Sequence, residues 1–323
     1  VESTSATATS SLSISNNNFY TFGHTVSGTG TVILISNTAT ALNQNINTNT
    51  FTNISLNTTG SFTFITCSNT VPAGGTQNIN SNSIVTGFNK TGAGGTVTGI
   101  TSGGSSTTVT QNWNTNTFSN ITVTGATTVT IINNTDGGSV NHNIMGNTIS
   151  NITGGTSTVT GINSSFGGAN GGSGNLVSGN TISSISSGGT VSGITIGSSG
   201  TSSTVELNTI SGLSTTGAST VSGITSAAPT SCTIQRNKIC DLQSNNASGA
   251  VTGILVSSGT LHNVVNNTIG DLRTPASNAS NPLIGLNITG GTTVNAYYNT
   301  VSLNGTSSGA LFGSSAISAS TTP

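Results

Sequence analysis

The sequence predicts an all-β chain wound into a stack of similar coils, and three observations lead there. A tripeptide Asn-x-(Ile/Phe/Val) recurs along the chain, a run of alternating side chains precedes it, and a small-residue step follows it. The tripeptide, here called the marker, begins at Asn17, Asn49, Asn82, Asn116, Asn147, Asn180, Asn208, Asn237, Asn267 and Asn299. The nine intervals are 32, 33, 34, 31, 33, 28, 29, 30 and 32 residues, a mean of about 31. Self-similarity at a fixed period of this size is the signature of a repeat architecture, whose units bury their apolar faces only by stacking.

Each element of the period has its own reason. The runs before the marker, such as TTVTQNW, GSVNHNI and TTVNAYYN, alternate side chains over a few residues and are rich in Val, Thr and Asn, which reads as a strand. The marker opens a second strand, as in NTISNIT at Asn147. The third element is VTGI at Val97, Val159 and Val251, or VSGI at Val191 and Val221, with variants VTII at Val129, LIGL at Leu283 and ALFG at Ala310; the early coils use VILI at Val32 and FTFI at Phe62. Helices are excluded, because Gly, Thr, Ser and Asn have low helix propensity and no apolar 3.6 period is sustained. A propeller blade needs about 40 residues and four strands. The prediction is therefore a parallel β-helix (β-solenoid): about ten coils of about 31 residues, three short strands per coil, in one domain over residues 1–323. At about 4.8 Å per coil, ten coils make a rod section of roughly 48 Å.

The repeat also assigns an interior. Positions +2 and +5 from the marker are apolar: Phe51 and Ile54, Phe118 and Ile121, Ile149 and Ile152, Ile182 and Ile185, Ile210 and Leu213, Ile239 and Leu242, Ile269 and Leu272. They are expected to stack as a column of side chains. The marker asparagine has two readings. Its amide can bond to the asparagines above and below as a ladder, or it can simply tolerate a turn conformation. The glycine of V-x-G-I is expected at a bend, a bulge or a place too crowded for Cβ. Leu34 and Phe64 replace it early on, which suggests a wider section there.

Composition limits the partners. The 323 residues carry Lys90, Arg236, Lys238 and Arg273 against Glu2, Asp136, Glu206, Asp241 and Asp271, a formal net charge of -1. With 3% charged residues the chain has no basic groove, so nucleic acid is not an expected partner. No apolar stretch approaches a membrane span, so no membrane insertion is expected. No basic region leads into an apolar one at the start, which is compatible with a leader already removed. A surface of hydroxyls and amides suits an extracellular or cell-surface setting.

The NTISNIT and VTGI phrases resemble the right-handed parallel β-helix repeat, the group shared by pectate-lyase-like enzymes, phage tailspikes and bacterial surface proteins. The resemblance spans nearly the whole chain. It implies the solenoid fold. For the enzymes of that group it also implies action on acidic polysaccharides, with clustered carboxylates and Arg or Lys on one outer face. This chain departs from that pattern, since its acids are few and mostly far apart and its coils are longer.

One charge cluster stands out, IQRNKICDLQ with NNTIGDLRTP. Asp241 and Asp271 both lie at marker +4 and are expected one coil apart, with Arg236, Lys238 and Arg273 nearby. Two carboxylates at that spacing fit a retaining glycosidase, a Ca²⁺ ligand pair or a surface ion-pair patch, and the patch is the reading adopted. Sugar platforms are distant, with Trp113 four coils earlier and Tyr297 and Tyr298 two coils after Asp241. His24, His142 and His262 fall in different coils, and the last two, four coils apart, are too far from each other to share a metal. No nucleophile elbow or phosphate loop is present. No catalytic, metal-ligating or cofactor-binding residue is assigned, and no cofactor is expected. Cys232 and Cys240 share a coil, and a disulfide between them is left open. Twelve Asn-x-Ser/Thr sequons, Asn53, Asn120 and Asn151 among them at marker +4, offer sites for covalent glycans.

The first residues read as a strand of an opening coil, and the stretch from Ser307 onward reads as the start of an eleventh, so the chain is expected to be either a segment of a longer solenoid or a subunit that stacks end to end. The expected function is a structural extracellular fibre or cell-surface rod, self-associating into filaments and not an enzyme. A surface adhesin, or a module binding glycan or ice, is an alternative. Ice binding would want regular Thr-x-Thr rows, and the outward threonines look mixed with Ser, Asn and Gly. A polysaccharide-degrading enzyme is the other alternative.

Overall fold

The computed structural model describes residues 2–3, 9–104, 108–137, 140–165, 174–197, 202–227 and 230–320. These residues form strands and no helix. The strands build three sheets, of 11, 12 and 10 strands, and the sheet neighbour of each strand comes from the next coil. The fold is thus a parallel β-solenoid, and the ten markers enclose nine complete turns. The pre-marker sheet holds strands such as Val109–Asn112 and Asn175–Ser178, the marker sheet Thr148–Thr153 and Thr181–Ser187, and the third sheet Val159–Ser164 and Val191–Ile196.

Adjacent coils pair in parallel and in register. Ile149 stands opposite Ile182 and Ile152 opposite Ile185, and the next coil continues with Ile210 and Leu213. All six are buried in one continuous core. The +2 and +5 positions therefore point inward, and a residue at +4 joins them in a left-handed backbone conformation: Asn53, Asn120, Asn151, Ser184, Asp241 and Asp271 have φ between 50° and 58°. That single residue turns the strand so that +2 and +5 both reach the interior. A second left-handed corner precedes the marker, at Thr48, Ser81, Thr115, Leu207, Arg236, Asn266 and Tyr298.

The glycine step is a crowded site. A Cβ on Gly193 would lie 2.6 Å from the Gly223 carbonyl oxygen and 2.9 Å from Cγ2 of Ile210. Gly161, Gly223, Gly253 and Gly285 meet the same two obstacles, the carbonyl of the next coil and the +2 side chain there. A glycine here and a branched aliphatic at +2 therefore fit one space. In the early coils Leu34, Phe64 and Ile131 fill that space themselves, within an aromatic cluster in which Phe64 lies 5.0 Å from Phe51 and 5.7 Å from Phe118.

The third coil carries one extra residue between its core positions. Ser83–Ile84 and Phe88–Lys90 are separate strands, and Phe88 pairs with Ile54 and Ile121, so the second core residue sits at +6. The shift carries Lys90 into register with Leu56 and Val123. Lys90 is fully buried. Its ammonium donates to the carbonyls of Gly92 (2.5 Å) and Gly94 (2.7 Å) and to the Thr127 hydroxyl (3.3 Å), and desolvation lowers its pKa.

Candidate functional site

Three arrays of polar side chains occupy fixed places on this scaffold. The first is the marker ladder. Nδ2 of each marker asparagine donates to Oδ1 of the next, at 2.9–3.0 Å from Asn17 to Asn299. The same Oδ1 also accepts the backbone N–H of the preceding marker, as in Asn147 N–H to Asn180 Oδ1 at 2.9 Å. The second Nδ2 proton goes to a carbonyl in the preceding coil's pre-marker strand, such as Trp113 for Asn147 and Ile144 for Asn180. From Asn49 to Asn267 each amide so uses both protons and both lone pairs. Of the two readings of the marker, the ladder is the one observed.

The second array is a buried polar seam at marker −5. Gln44, Gln77, Gln111, His142, Asn175, Ser203, Cys232 and His262 occupy this one register position in eight successive coils. All are buried. Across the corner they meet polar partners from the third sheet: Asn37 donates to Gln44 (2.8 Å), Asn134 to Gln111 (3.1 Å), and Ser164 to Asn175 (3.2 Å). Asn134 also contacts Nδ1 of His142 at 2.5 Å. The Asp136 carboxylate lies in this seam and accepts from Ser102 (3.3 Å) and Gln111 (3.1 Å). Burial drives the His142 pKa down to about 3, and desolvation lowers that of His262 as well. Trp113, also buried, donates Nε1 to Gln77 (3.3 Å), so it offers no platform to a surface ligand. Among the described residues no group of three or more His, Cys, Asp and Glu is placed to hold a metal ion.

The third array is the charge cluster on coils seven to nine. Arg273 donates to Asp241 and places Nε 3.4 Å from Asp271 Oδ1, so one guanidinium bridges the two +4 carboxylates. Arg236 pairs with Glu206 at 2.5 Å, and Gln235 donates to the same Glu206 oxygen at 2.8 Å. The Gln235 amide, and after it Arg236, hold the Glu206 carboxyl below its usual range. The structure thus brings Asp241, Asp271 and Arg273 together and joins Arg236 to Glu206, as an ion-pair patch on the outer surface.

The two cysteines left open as a pair are free thiols. Cys232 points into the seam and Cys240 lies at +3 on the far side of the marker corner. Burial raises the Cys232 thiol to about 11 and the Cys67 thiol to about 12. The outward threonines are less mixed than the sequence suggested. On the marker sheet Thr117, Thr148, Thr181 and Thr209 form one row, and Ser119, Ser150, Ser183 and Ser211 form a parallel one.

No protein-family model, curated protein or solved structure matches this chain. Among the described residues no helix is long and apolar enough to cross a membrane.

Proposed function

We propose that this chain is a structural rod of an extracellular or cell-surface fibre that lengthens by strand stacking. The observation that carries the reading is the ladder. Nine consecutive asparagine steps hold the coils in one register, and the same bonds can be extended by any further coil of like sequence. The edge strand Ser314–Ala319 leaves Ile317 54% exposed, a surface that a following coil would cover, whether from this chain or another copy. The neutral hydroxyl faces support an external setting, and the exposed sequons Asn53, Asn120 and Asn151 are the proposed glycan sites. Electron microscopy of untagged protein tests the reading: rods longer than one chain's stack support it, and particles that never lengthen at high concentration count against it.

The Thr and Ser rows favour one second reading, a face that binds ice or a neutral glycan. Pull-down on ice and on insoluble glycan, with Thr148→Tyr as control, separates it from the first. The enzyme alternative predicts polysaccharide cleavage that is lost in Asp241→Asn or Asp271→Asn, and a reducing-end assay reads it.

A further inference from the structure

Asparagine fastens this rod at most of its corners, but Asn304 fastens nothing. It is exposed and lies outside any strand, between Thr300–Ser302 and Ser314–Ala319. Among the described residues its amide has no hydrogen-bond partner, and the N–H of Gly305, next in the chain, donates to none.

The glycine is set by packing. A Cβ on Gly305 would lie 2.5 Å from Cδ2 of Leu283 and 3.4 Å from Cζ of Phe312. Leu283 belongs to the core and Phe312 packs against it. The core therefore asks for a residue without a side chain here. The result is an unobstructed backbone nitrogen beside a loose side-chain amide.

Comparable pairs elsewhere are held fast. Asn82 precedes Ser83, but its Nδ2 donates to Ile46 (2.8 Å) and Asn116 (3.0 Å), and the Ser83 N–H is bound to the Asn49 carbonyl at 2.9 Å. Asn163 precedes Ser164, but it donates to Asn133 (2.8 Å), accepts from Ser165 (2.7 Å) and sits in the paired strand Val159–Ser164. Asp136 precedes Gly137, but its carboxylate is buried and the Gly137 N–H is bound to Gly104 at 2.7 Å. The chain's other Asn–Gly pair, Asn170–Gly171, lies outside the described residues.

We propose that Asn304–Gly305 is a self-modifying site, at which the Asn304 amide becomes a carboxylate. The Gly305 nitrogen gives its proton to solvent and attacks Asn304 Cγ. The new N–Cγ bond closes a succinimide ring, and the Cγ–Nδ2 bond breaks to release ammonia. Water then opens the ring. Cleavage of N–Cγ leaves aspartate at 304, and cleavage between the nitrogen and the Asn304 carbonyl carbon leaves isoaspartate, whose main chain runs through the former side chain. Water is the only co-reactant. Ring closure breaks no internal hydrogen bond, since neither group has one. The product adds one negative charge to a chain of formal net charge -1. Isoaspartate also lengthens the main chain beside Leu303, which is half-buried against the core, so it loosens the tenth coil.

Peptide mapping by mass spectrometry tests it on the full chain, made without glycosylation because Asn304-Gly305-Thr306 is also a sequon. Folded protein is aged in mildly alkaline buffer, which favours the deprotonated nitrogen, and in mild acid. The expected result is an acidic shift on isoelectric focusing that maps to Asn304 as mixed aspartate and isoaspartate and runs faster in alkali. Asn82 and Asn163 should keep their amides in the folded protein and lose them only once urea has unfolded it, which separates selection by structure from selection by sequence. Asn304→Gln, whose longer side chain closes a larger ring slowly, should abolish the product at 304 with the melting midpoint unchanged, as for an exposed position. An Asn304 amide retained as fully as those of Asn82 and Asn163 overturns the proposal. Conversion at Asn304 no faster in alkali than in acid overturns it too, since direct hydrolysis would then be the route.

Discussion

Asn147 and Asn180 stand on adjacent coils with Nδ2 of the first 2.9 Å from Oδ1 of the second. The same Oδ1 receives the Asn147 backbone N–H, and Asn180 Nδ2 serves the carbonyl of Ile144. One amide therefore satisfies three buried groups of earlier coils.

Asn180→Ala leaves those three groups unpaired, at about 1–3 kcal/mol for each buried group. The expected outcome is a clear fall in the thermal or denaturant midpoint. Asn147→Ala, in the same ladder, should cost a similar amount, while Asn89→Ala, at an exposed position of the marker sheet, should cost little. Equal midpoints for Asn180→Ala and Asn89→Ala would show that the ladder is ornamental.

Gly193→Ala forces a Cβ to within 2.6 Å of the Gly223 carbonyl oxygen. Overpacking costs about 1–3 kcal/mol. Ile210→Val removes Cδ1, 3.2 Å from the new Cβ, and should recover only part of that, since Cγ2 and the carbonyl remain. Chemical denaturation of the single and double variants measures it, and full recovery would place the clash at Cδ1 alone.

Ile152→Asn puts an amide into the aliphatic column, where Ile152 is 1% exposed between Ile121 and Ile185. Lost packing of about 2–5 kcal/mol adds to the cost of an unpaired buried amide. Circular dichroism melting checks it, and an unchanged midpoint would mean that the +5 position faces solvent.

Acid should destabilise the rod through the seam. His142 has a folded pKa of about 3 against about 6.5 unfolded, because burial opposes its charged form. Below pH 6.5 the unfolded chain takes up a proton that the folded chain refuses. Stability is therefore complete above that pH and declines as pH falls toward 3, by up to about 1.4 kcal/mol per pH unit. His142→Gln, which places there the residue found at Gln111, should flatten the midpoint–pH curve between those limits. A curve as steep as the parent's would remove His142 from the account.

The fold was legible because the repeat is dense in backbone information. Marker, alternation and glycine step each report a period, and Ile149 and Ile152 name the interior directly. The seam was harder to read. Its signal was present, as Gln44, Gln77, Gln111, His142 and Asn175 all stand five residues before a marker, but polar residues in an alternating strand read as the outer face. Lys90 was misleading for another reason: the extra residue in its coil shifts it from an apparent surface charge into a core column. The Thr and Ser rows became visible only with the register, since adjacent residues of a row are about 30 apart in the chain. The bridging of Asp241 and Asp271 by Arg273 needed side-chain directions that spacing does not supply.

The most direct test of the central claim, a rod that serves by lengthening, is cryo-electron microscopy of untagged protein across a concentration series. The account predicts filaments that grow along one axis with an axial repeat of about 4.8 Å and a continuous asparagine ladder through each junction. Particles of constant length at every concentration, together with polysaccharide turnover that depends on Asp241 and Asp271, would contradict it.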